Sequence, residues 1–372
     1  MANFTFDELN KEMNKISALG STMNESAFSE VTDYIPTGNY HLNACMTGSI
    51  FKGVPNNRAI CFAGSSGTGK TFLLLNAIRE AQAKGYYIVF YDSEAAVDKE
   101  LMEKFDIDTS KVRYEPCSTV QEFRTSVTNL TESLITNKRK GVKIPKLMIA
   151  LDSAGNLATI KELDDAQSGS QKADMSRAKI MKSIFRILMN RIAECKIPMI
   201  FTNHTYQTQS FISQTKAGGG TGPEYAASII LFLSKAQLKE KKEKTGIIVT
   251  AKPNKNRFAR PHPIKFYIHY SKGMNPFVGL EQYVSWDLCG ITKGKADKKT
   301  GELIPSAGSN NWIVKHLNKT VTSAEFFTPE VFTNEVLQKI DERIQPIFNY
   351  GIDDSIPEEL ISIDEDLDGE DE

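Results

Sequence analysis

One stretch of the chain combines glycines, a lysine and a hydroxyl residue at the spacing of a phosphate-binding loop. It matches G-x-x-x-x-G-K-[ST] at every constrained position, and its residues are Gly64, Ser65, Ser66, Gly67, Thr68, Gly69, Lys70 and Thr71. Glycines let backbone N–H groups converge on the β- and γ-phosphates, because glycine adopts conformations that a side chain forbids. Lys70 adds a cation, and the Thr71 hydroxyl can ligate Mg²⁺. The loop therefore predicts a site for a nucleoside triphosphate with Mg²⁺.

The residues on either side of this loop predict the structure that such a loop needs. The apolar run 58–63 predicts a buried strand, and residues 72–78 predict a helix. A strand, a glycine-rich loop and a helix in this order are the context in which the pattern binds phosphate. The helix begins near Lys70 and directs the positive end of its dipole at the bound anion.

Acidic residues follow two other predicted strands, at the edge where a doubly wound fold places its site. Asp152 ends the apolar run 147–151, where a carboxylate helps to hold Mg²⁺ near the loop. Glu94 follows the run 86–90, and a carboxylate there can orient or deprotonate an attacking water. We therefore assign Glu94 as the general base. In the alternative interpretation, Asp92 caps the strand and Glu94 is only exposed.

Two long connections leave predicted strands at the same edge. Asn203 and His204 lie at the end of one predicted strand, and either could donate a hydrogen bond to the γ-phosphate. A single histidine is, however, more often structural. Residues 205–225 then show no periodicity and predict a loop, which contains Phe211, Lys216, Gly218, Gly219 and Gly220. Residues 160–171 predict a second loop after Asp152. Ligand binding at the sheet could reorder both loops.

One predicted helix carries a row of basic residues. Lys179, Lys182 and Arg186 lie in the predicted helix 172–195 at offsets of three and seven, which place them on one face. Such a row is often only solvated. Beside the two predicted loops it could equally hold a phosphate backbone.

Apolar runs that would position these residues alternate with helical patterns. Predicted strands lie at 59–63, 86–91, 146–151, 198–202, 228–233, 246–251 and 264–269, and predicted helices at 71–84, 98–105, 119–136, 172–195 and 333–344. Several strands are continuously apolar, so helices should cover both faces of their sheet. The pattern predicts an α/β fold with a mostly parallel, doubly wound sheet and an antiparallel extension at one edge. Residues 235–245 predict a solvated connection.

The composition is that of an ordinary soluble protein. The chain has 372 residues, of which 40% are hydrophobic and 24% charged. It lacks the run of about 18 apolar residues that predicts a membrane span, and its first residues do not resemble a signal peptide. The five cysteines are scattered without C-x-x-C spacing, which favours a reducing cytoplasm and argues against a zinc site.

The two ends of the chain differ from its middle. The formal net charge is −1, but residues 353–372 contain 11 acidic residues and no lysine or arginine, which leaves +10 on residues 1–352. A basic body suits a polyanionic partner, while the alternative is a disordered tail that only increases solubility. Residues 1–34 are polar and predict one amphipathic helix that docks on this chain or a neighbour; its apolar residues are Phe6, Leu9, Met13 and Ile16.

Together these stretches resemble the RecA family of strand-exchange ATPases, and within it the UvsX-type recombinases of tailed phages. The resemblance covers roughly residues 35–280 and is carried by Gly64–Thr71, Tyr91–Glu94, Leu151–Ala158, Ser176–Lys179 with Phe185 and Arg186, Asn203–Tyr206 and Gly218–Pro223. It implies a DNA-dependent ATPase that uses ATP and Mg²⁺ and forms helical filaments on single-stranded DNA. Such a filament pairs its strand with homologous duplex DNA and exchanges strands.

The resemblance also implies roles for individual residues. Residues 160–171 and 206–222 match two DNA-binding loops, and His204 matches a sensor of the γ-phosphate. Two cations match those that reach the γ-phosphate of the neighbouring subunit, namely Lys255 and Arg257, with Lys252 as an alternative. Leu101 occupies a position where relatives often stack an aromatic residue on adenine.

The same resemblance implies an organisation and a set of partners. Residues 1–34 would pack on the adjacent subunit, residues 35–280 would form the ATPase and DNA-binding core, residues 281–352 a C-terminal region, and residues 353–372 the acidic disordered tail. The implied partners are DNA, further copies of the chain, a single-strand-binding protein and a recombinase loader, with no membrane. The implied location is the cytoplasm of a bacterial host.

Two other functions share these sequence features. A hexameric RecA-fold helicase has the same loop and trans-acting cations, but usually carries a domain in front of the ATPase core, and the segment before the strand at 59–63 is short. A recombination mediator would bind nucleotide and DNA with little turnover. Lys70, Glu94 and Asp152 argue against the mediator, because they are the residues that hydrolysis needs.

Overall fold

The computed structural model describes residues 4–17, 20–23, 28–168, 176–207, 215–217, 226–240, 243–297 and 299–351. Its helices are α1 (Phe6–Ile16), α2 (Tyr40–Thr47), α3 (Lys70–Ala83), α4 (Lys99–Lys104), α5 (Val120–Arg139), α6 (Ile160–Ser168), α7 (Ser176–Cys195), α8 (Trp286–Cys289), α9 (Ser323–Phe326) and α10 (Asn334–Phe348). Its strands are β1 (Tyr34–Ile35), β2 (Val54–Pro55), β3 (Ala59–Gly64), β4 (Tyr87–Asp92), β5 (Val112–Pro116), β6 (Leu147–Asp152), β7 (Met199–Asn203), β8 (Thr205–Gln207), β9 (Thr215–Ala217), β10 (Ile229–Glu240), β11 (Glu243–Asn256), β12 (Ile264–His269), β13 (Ile291–Ala296), β14 (Leu303–Pro305), β15 (Trp312–Val314) and β16 (Lys319–Val321).

Within the described residues, the main sheet has the strand order β12-β11-β10-β3-β7-β6-β4-β5. The strands from β10 to β5 run parallel, and β11 and β12 extend the sheet antiparallel beyond β10. All the strands expected from the apolar runs lie in this sheet. The predicted α/β class, the mostly parallel sheet and its antiparallel extension are therefore confirmed.

Helices cover both faces of this sheet. Phe62 of β3 belongs to a buried cluster that contains Leu74 of α3. Its neighbour Cys61 belongs to a second buried cluster, with Phe123 of α5 and Phe185 of α7. Successive side chains of a strand point to opposite faces, so a strand that is covered on both sides is apolar throughout. This explains why the apolar runs of the sequence are continuous.

The edge strand β5 and the short helix α2 are among the elements that sequence patterning misses. β5 lies at the end of the sheet beside β4 and has the sequence Val-Arg-Tyr-Glu-Pro, with most of its side chains exposed. An edge strand of this kind has no apolar run to reveal it. α2 is capped by Asn39, whose side chain accepts a hydrogen bond from the N–H of Leu42, and it ends at Gly48 with a φ of 75°.

The loop expected at 160–171 is wrong over its first part, because residues 160–168 form α6. The N–H of Glu162 donates to Thr159 Oγ1 over 3.0 Å, and the N–H of Thr159 donates to Glu162 Oε2 over 2.6 Å. This reciprocal pair is a capping box, which starts a helix. Residues 169–171 lie outside the described residues.

The solvated connection expected at 235–245 is also wrong. β10 continues to Glu240 and β11 begins at Glu243, so both strands extend through most of this segment as one long hairpin. Residues 234–237 are exposed, because the hairpin extends beyond the helices that cover the sheet. Its polar composition therefore reflects exposure on both faces rather than irregular structure.

The C-terminal part of the described chain contains a second sheet, of order β14-β13-β15-β16. The helix expected at 333–344 is confirmed as α10, which begins after Thr333 and extends to Phe348. Val314 and Phe348 belong to the same buried cluster as Leu74 of α3. This part therefore packs on the central sheet, and residues 353–372 lie outside the described residues.

The amphipathic helix expected near the N-terminus is confirmed as α1. Thr5 caps it through a capping box with Glu8. No residue of α1, all of which lie in the described part of the chain, is buried. The apolar row that the sequence analysis identified is exposed, namely Phe6, Leu9, Met13 and Ile16. Its docking on a neighbouring copy stays a prediction.

Candidate functional site

The phosphate loop connects β3 to α3 and contains two residues in the left-handed region. Gly67 has a φ of 74° and Gly69, which precedes the first turn of α3, has a φ of 92°. These conformations strain a residue with a side chain, so the two glycines are required by the backbone. Lys70 Nζ donates to the carbonyls of Gly64 and Ser65, in both cases over 2.9 Å. The lysine is thereby held above the loop.

A carboxylate and a hydroxyl meet beside this loop in a geometry that suits a divalent cation. Thr71 Oγ1 donates to Asp152 Oδ2 over 2.7 Å, and the Thr202 hydroxyl donates to Asp152 Oδ1. Asp152 is only 1% exposed, and burial raises its pKa, although the two hydroxyl groups act in the opposite direction. Mg²⁺ prefers oxygen ligands and is held through one or two carboxylates next to phosphate. The residues present therefore fit a Mg²⁺ ion between Thr71 and Asp152.

Glu94 is presented by a turn that Asp92 organises. Asp92 Oδ1 accepts hydrogen bonds from the N–H groups of Glu94, over 2.9 Å, and Ala95, over 2.8 Å. Asp92 Oδ2 accepts a third, from the Tyr114 hydroxyl over 3.0 Å. Asp92 thus caps the end of β4, as the alternative interpretation held. The side chain of Glu94 is nevertheless only 23% exposed, because it contacts His204.

His204 joins Glu94 to the segment that follows β6. Its Nε2 lies 3.1 Å from Glu94 Oε1, within hydrogen-bonding distance. The N–H of His204 donates to Asn203 Oδ1 over 3.0 Å, which fixes the turn after β7. A Cβ at Gly155 would lie 3.2 Å from His204 Cδ2, so the segment after Asp152 approaches the histidine closely. His204 is therefore in contact with the two neighbouring strand ends.

These side chains come together because their strands end at one edge of the sheet. Asp92 pairs with Asp152 in register, and Ala63, next to the loop, pairs with Asn203. The carboxyl ends of parallel strands meet at the same edge, which is where open α/β sheets bind ligands. The structure thus brings together Lys70, Thr71, Asp152, Glu94 and His204, as the sequence analysis expected from the strand ends.

Lys255 and Arg257 lie at the opposite edge of the sheet. Asn256, between them, pairs with Ile229, which pairs with Ile60 near the start of β3. Gly64 lies four positions further along β3 than Ile60, a distance of about 13 Å. The structure therefore does not bring Lys255 and Arg257 to the phosphate loop of their own chain.

Arg257 instead lines a basic cleft of about 510 Å³ together with Arg58, Lys182 and Arg186. Burial lowers the pKa of Arg58, and the nearby guanidinium of Arg257 lowers it further. Such repulsion between cations is relieved when an anion lies between them. From the sequence, these residues were expected at two different sites, whereas the structure places two of the three basic residues of the α7 row beside Arg257.

The basic row of α7 lies on the outer face of that helix. Lys179, Lys182 and Arg186 are exposed, whereas Ile184 and Phe185 are buried against the sheet. Opposite placement of the two sets follows from the helical period. The row therefore forms a basic surface on α7 that ends in the cleft with Lys182 and Arg186.

Arg177, to which the sequence analysis gave no role, holds the first turn of α7 in place. Its Nε donates to the carbonyl of Leu157 over 2.7 Å. One terminal nitrogen donates to the carbonyls of Ala154, over 2.9 Å, and Gly155, over 2.5 Å. The start of α7 is therefore fixed to the segment that follows Asp152. The sequence offers no signal for this contact, because it depends on how two distant segments meet.

Residues of the connection after His204 are described only in part. β8 and β9 pair antiparallel, and Tyr206 is opposite Lys216 in the backbone register. The described parts of this connection therefore form a short antiparallel ladder directly after His204, in which Thr205 is opposite Ala217. Phe211, Gly218, Gly219 and Gly220 lie outside the described residues.

A comparison with known protein families decides the relationship. The RecA N-terminal domain family matches residues 3–275. The chain belongs to the RecA family. The resemblance stated from the sequence is therefore confirmed, and the matched residues include the phosphate loop, Glu94, Asp152 and His204.

Individual relatives support the assignment to the RecA family. The recombination and repair protein of Enterobacteria phage T4 is 29% identical over 332 residues, which cover 86% of this chain and 82% of that protein. Protein RecA of Arthrobacter sp. (strain FB24) is 27% identical over 252 residues, 67% of this chain and 68% of that one. Protein RecA of Acidiphilium cryptum is 26% identical over 257 residues, 68% and 71% of the two chains. Similarity to the phage protein thus continues into the C-terminal part of the chain.

Among the described residues, no helix combines the length and the apolar character that are needed to span a bilayer.

Proposed function

We propose that this RecA-family chain is an ATP-dependent recombinase that forms helical filaments on single-stranded DNA and exchanges strands with a homologous duplex. One arrangement supports the proposal most. The phosphate loop, Asp152, Glu94 and His204 meet at one edge of the sheet, and both connections expected to bind DNA leave that same edge. Nucleotide and DNA would therefore act on adjacent segments of backbone.

The residues at this edge would divide the work of ATP hydrolysis. Lys70 would exchange its two carbonyl partners for phosphate oxygens. Mg²⁺, held by Thr71 and Asp152, would neutralise the charge of the phosphates. Glu94 would orient the attacking water and accept its proton, since Asp92 fixes the turn that presents the carboxylate. His204 would donate a hydrogen bond from Nε2 to the γ-phosphate, which would replace Glu94 as its anionic partner.

Neighbouring subunits would complete each site. Lys255 and Arg257 would reach the γ-phosphate bound by the adjacent copy, because they lie at the edge of the sheet opposite their own loop. Lys252, which the strand register places level with Ala63, is the alternative. A contact between two different edges is heterologous, and repetition of such contacts builds an open helix. The exposed apolar row of α1 would contribute to the same interface through residues 1–34.

DNA would be held mainly through its phosphates. The basic row Lys179, Lys182 and Arg186 supplies cations on one surface, and Lys216 would add another from the second loop. Contacts to phosphates give little sequence preference and a strong dependence on salt. Phe211 could wedge between bases, and Gly218, Gly219 and Gly220 would let the loop change shape.

The remaining parts of the proposal concern organisation and partners. Residues 35–280 would form the ATPase and DNA-binding core, 281–352 a C-terminal region and 353–372 an acidic tail that competes with DNA. A single-strand-binding protein and a recombinase loader would act with the filament. The location would be the cytoplasm, which in a phage-encoded case is that of the bacterial host.

The test is ATP hydrolysis with and without single-stranded DNA, followed by joint-molecule formation with a duplex. We expect DNA to stimulate hydrolysis and joint molecules to form only with homologous duplex. Lys70→Ala, which removes the loop cation, is the inactive control. Unwinding without pairing would favour a helicase, and DNA binding without turnover would favour a mediator. Electron microscopy with ATP and single-stranded DNA would show whether filaments form.

A further inference from the structure

Lys235 lies over the phosphate loop because β10 is longer than β3. β3 ends at Gly64, which pairs with Leu233, whereas β10 continues to Glu240 against β11. Lys235 lies two residues beyond Leu233 on β10. It is therefore level with the phosphate loop, which begins where β3 ends. Alternate residues of a strand share a face, so Lys235 lies on the same face as Leu233, which packs in the cluster that contains α3.

Two contacts place the ammonium group of Lys235 at the loop. Its Nζ donates to the carbonyl of Ser66 over 2.8 Å. A Cβ at Gly67 would lie 2.6 Å from the same Nζ, so glycine at this position leaves the room that the lysine occupies. The side chain of Lys235 is exposed. It can therefore leave a neutral carbonyl for an anionic partner without disturbing the core.

The loop thus carries a second cation in addition to Lys70. Backbone N–H groups and the start of α3 add further positive potential. Two cations at one such loop repel each other unless an anion lies between them. A polyphosphate supplies the charge that this arrangement needs.

We propose that Lys235 is a second nucleotide-binding cation of this site, which contacts the polyphosphate bound to its own chain. The inference rests on the proposed function, because it requires a nucleotide in the loop. It differs from the role expected of Lys255 and Arg257, which would reach the nucleotide of a neighbour. The attraction of a cation grows with the charge of its partner, so Lys235 should stabilise bound ATP more than ADP, and ADP more than AMP.

Lys235→Gln, which keeps the length of the side chain and removes its charge, tests this inference. The matched control is Lys239→Gln, on the same strand, exposed and paired with Lys244 beyond the loop. Fluorescent analogues of ATP, ADP and AMP would be titrated into the full-length proteins with Mg²⁺. We expect Lys235→Gln to weaken ATP binding about tenfold, as for a lost hydrogen bond to a charged group. ADP should lose less, the control should bind normally, and Lys235→Arg should retain most of the affinity.

If the wild-type protein binds nucleotide, two results would overturn this inference and leave the proposed function intact. Equal weakening of all three nucleotides would mean that Lys235 only shapes the loop, and unchanged ATP affinity would mean that it does not reach the phosphates. A wild-type protein that binds no nucleotide would overturn the proposed function, and this inference with it. The melting temperature of Lys235→Gln without nucleotide should equal that of the wild type, which separates lost binding from lost folding.

Discussion

His204 Nε2 lies 3.1 Å from Glu94 Oε1, so the expected γ-phosphate sensor and the expected general base share one contact. The two residues follow different strands, β7 and β4, which are separated in the sheet by β6. A shift of His204 towards a phosphate oxygen would therefore release Glu94 at the same time. With these two roles, recognition of the nucleotide and activation of water would be coupled by this single interaction.

Glu94→Gln should remove hydrolysis and leave nucleotide binding intact, because the amide keeps the shape of the side chain but is a far weaker base. A positioned base contributes about 10²- to 10⁴-fold to a rate, and the loss should fall in that range. Filaments that persist with ATP on single-stranded DNA, seen by electron microscopy, would accompany the slow turnover. A normal rate of hydrolysis in Glu94→Gln would show that the assigned base is wrong.

His204→Ala should uncouple DNA affinity from the nucleotide. In the wild type we expect DNA to bind more tightly with a slowly hydrolysed ATP analogue than with ADP. The alanine variant should bind both nucleotides yet show little difference in DNA affinity, whereas His204→Gln, which retains a side-chain donor, should recover part of it. Fluorescence anisotropy of labelled single-stranded DNA measures this. A full nucleotide response in His204→Ala would argue against the sensor role.

Asp152→Asn should stabilise the fold while it removes Mg²⁺-dependent ATP binding. Burial raises the pKa of Asp152, so the ionised form destabilises the folded state above that pKa, and the penalty disappears below the unfolded value of 3.8. Without Mg²⁺ and nucleotide, the variant should melt about 1 to 3 °C above the wild type at pH 7. The difference should shrink as the pH falls. A less stable variant at pH 7 would show that the hydrogen bonds of Asp152 outweigh its burial.

Lys70→Ala and Arg257→Ala should complement each other if the cations act in trans. Each variant alone should hydrolyse little ATP, the first because its loop lacks its cation and the second because no neighbour supplies one. A mixture contains interfaces in which an intact loop meets an intact Arg257, so DNA-stimulated hydrolysis should partly return. Lys255→Ala and Lys252→Ala in place of Arg257→Ala identify which cation is needed. Arg257→Ala with normal activity by itself would remove that residue from the site.

Truncation after Gly351 should strengthen DNA binding if the acidic tail competes with DNA for the basic surface. Deletion of the tail removes 11 negative charges from the chain. The gain should be largest at low salt, because exposed charges are screened at high ionic strength. Affinity for single-stranded DNA over a range of salt concentrations measures it. Equal affinities at all salt concentrations would mean that the tail has another role.

The arrangement of the site at one edge was predictable because its signals are local. A strand covered on both faces is a continuous apolar run, and the residue that follows it marks the edge. The sequence alone is sufficient to place Asp152 and His204 in this way. α6 carried an equally local signal, since Thr159 and Glu162 have capping-box spacing, and the long-loop interpretation overlooked it.

Contacts between distant segments were not predictable in the same way. Tyr114 supports Asp92 from β5, a strand that is polar because it lies at the edge. Lys235 reaches the loop only because β10 continues past the end of β3, and the sequence shows a polar stretch there without showing its length as a strand. Register and strand length decide both contacts, and neither leaves a periodic trace in the sequence.

The hydrogen bonds of Arg177 couple the position of α7 to the segment after Asp152. A guanidinium is planar and bonds in several directions at once, so it resists sliding along the carbonyls that it holds. A displacement of that segment would move α7 as a rigid body, together with Lys179, Lys182 and Arg186 on its outer face. Binding or loss of the γ-phosphate would therefore change the position of these cations. The affinity for DNA could then change without unfolding of any helix or strand.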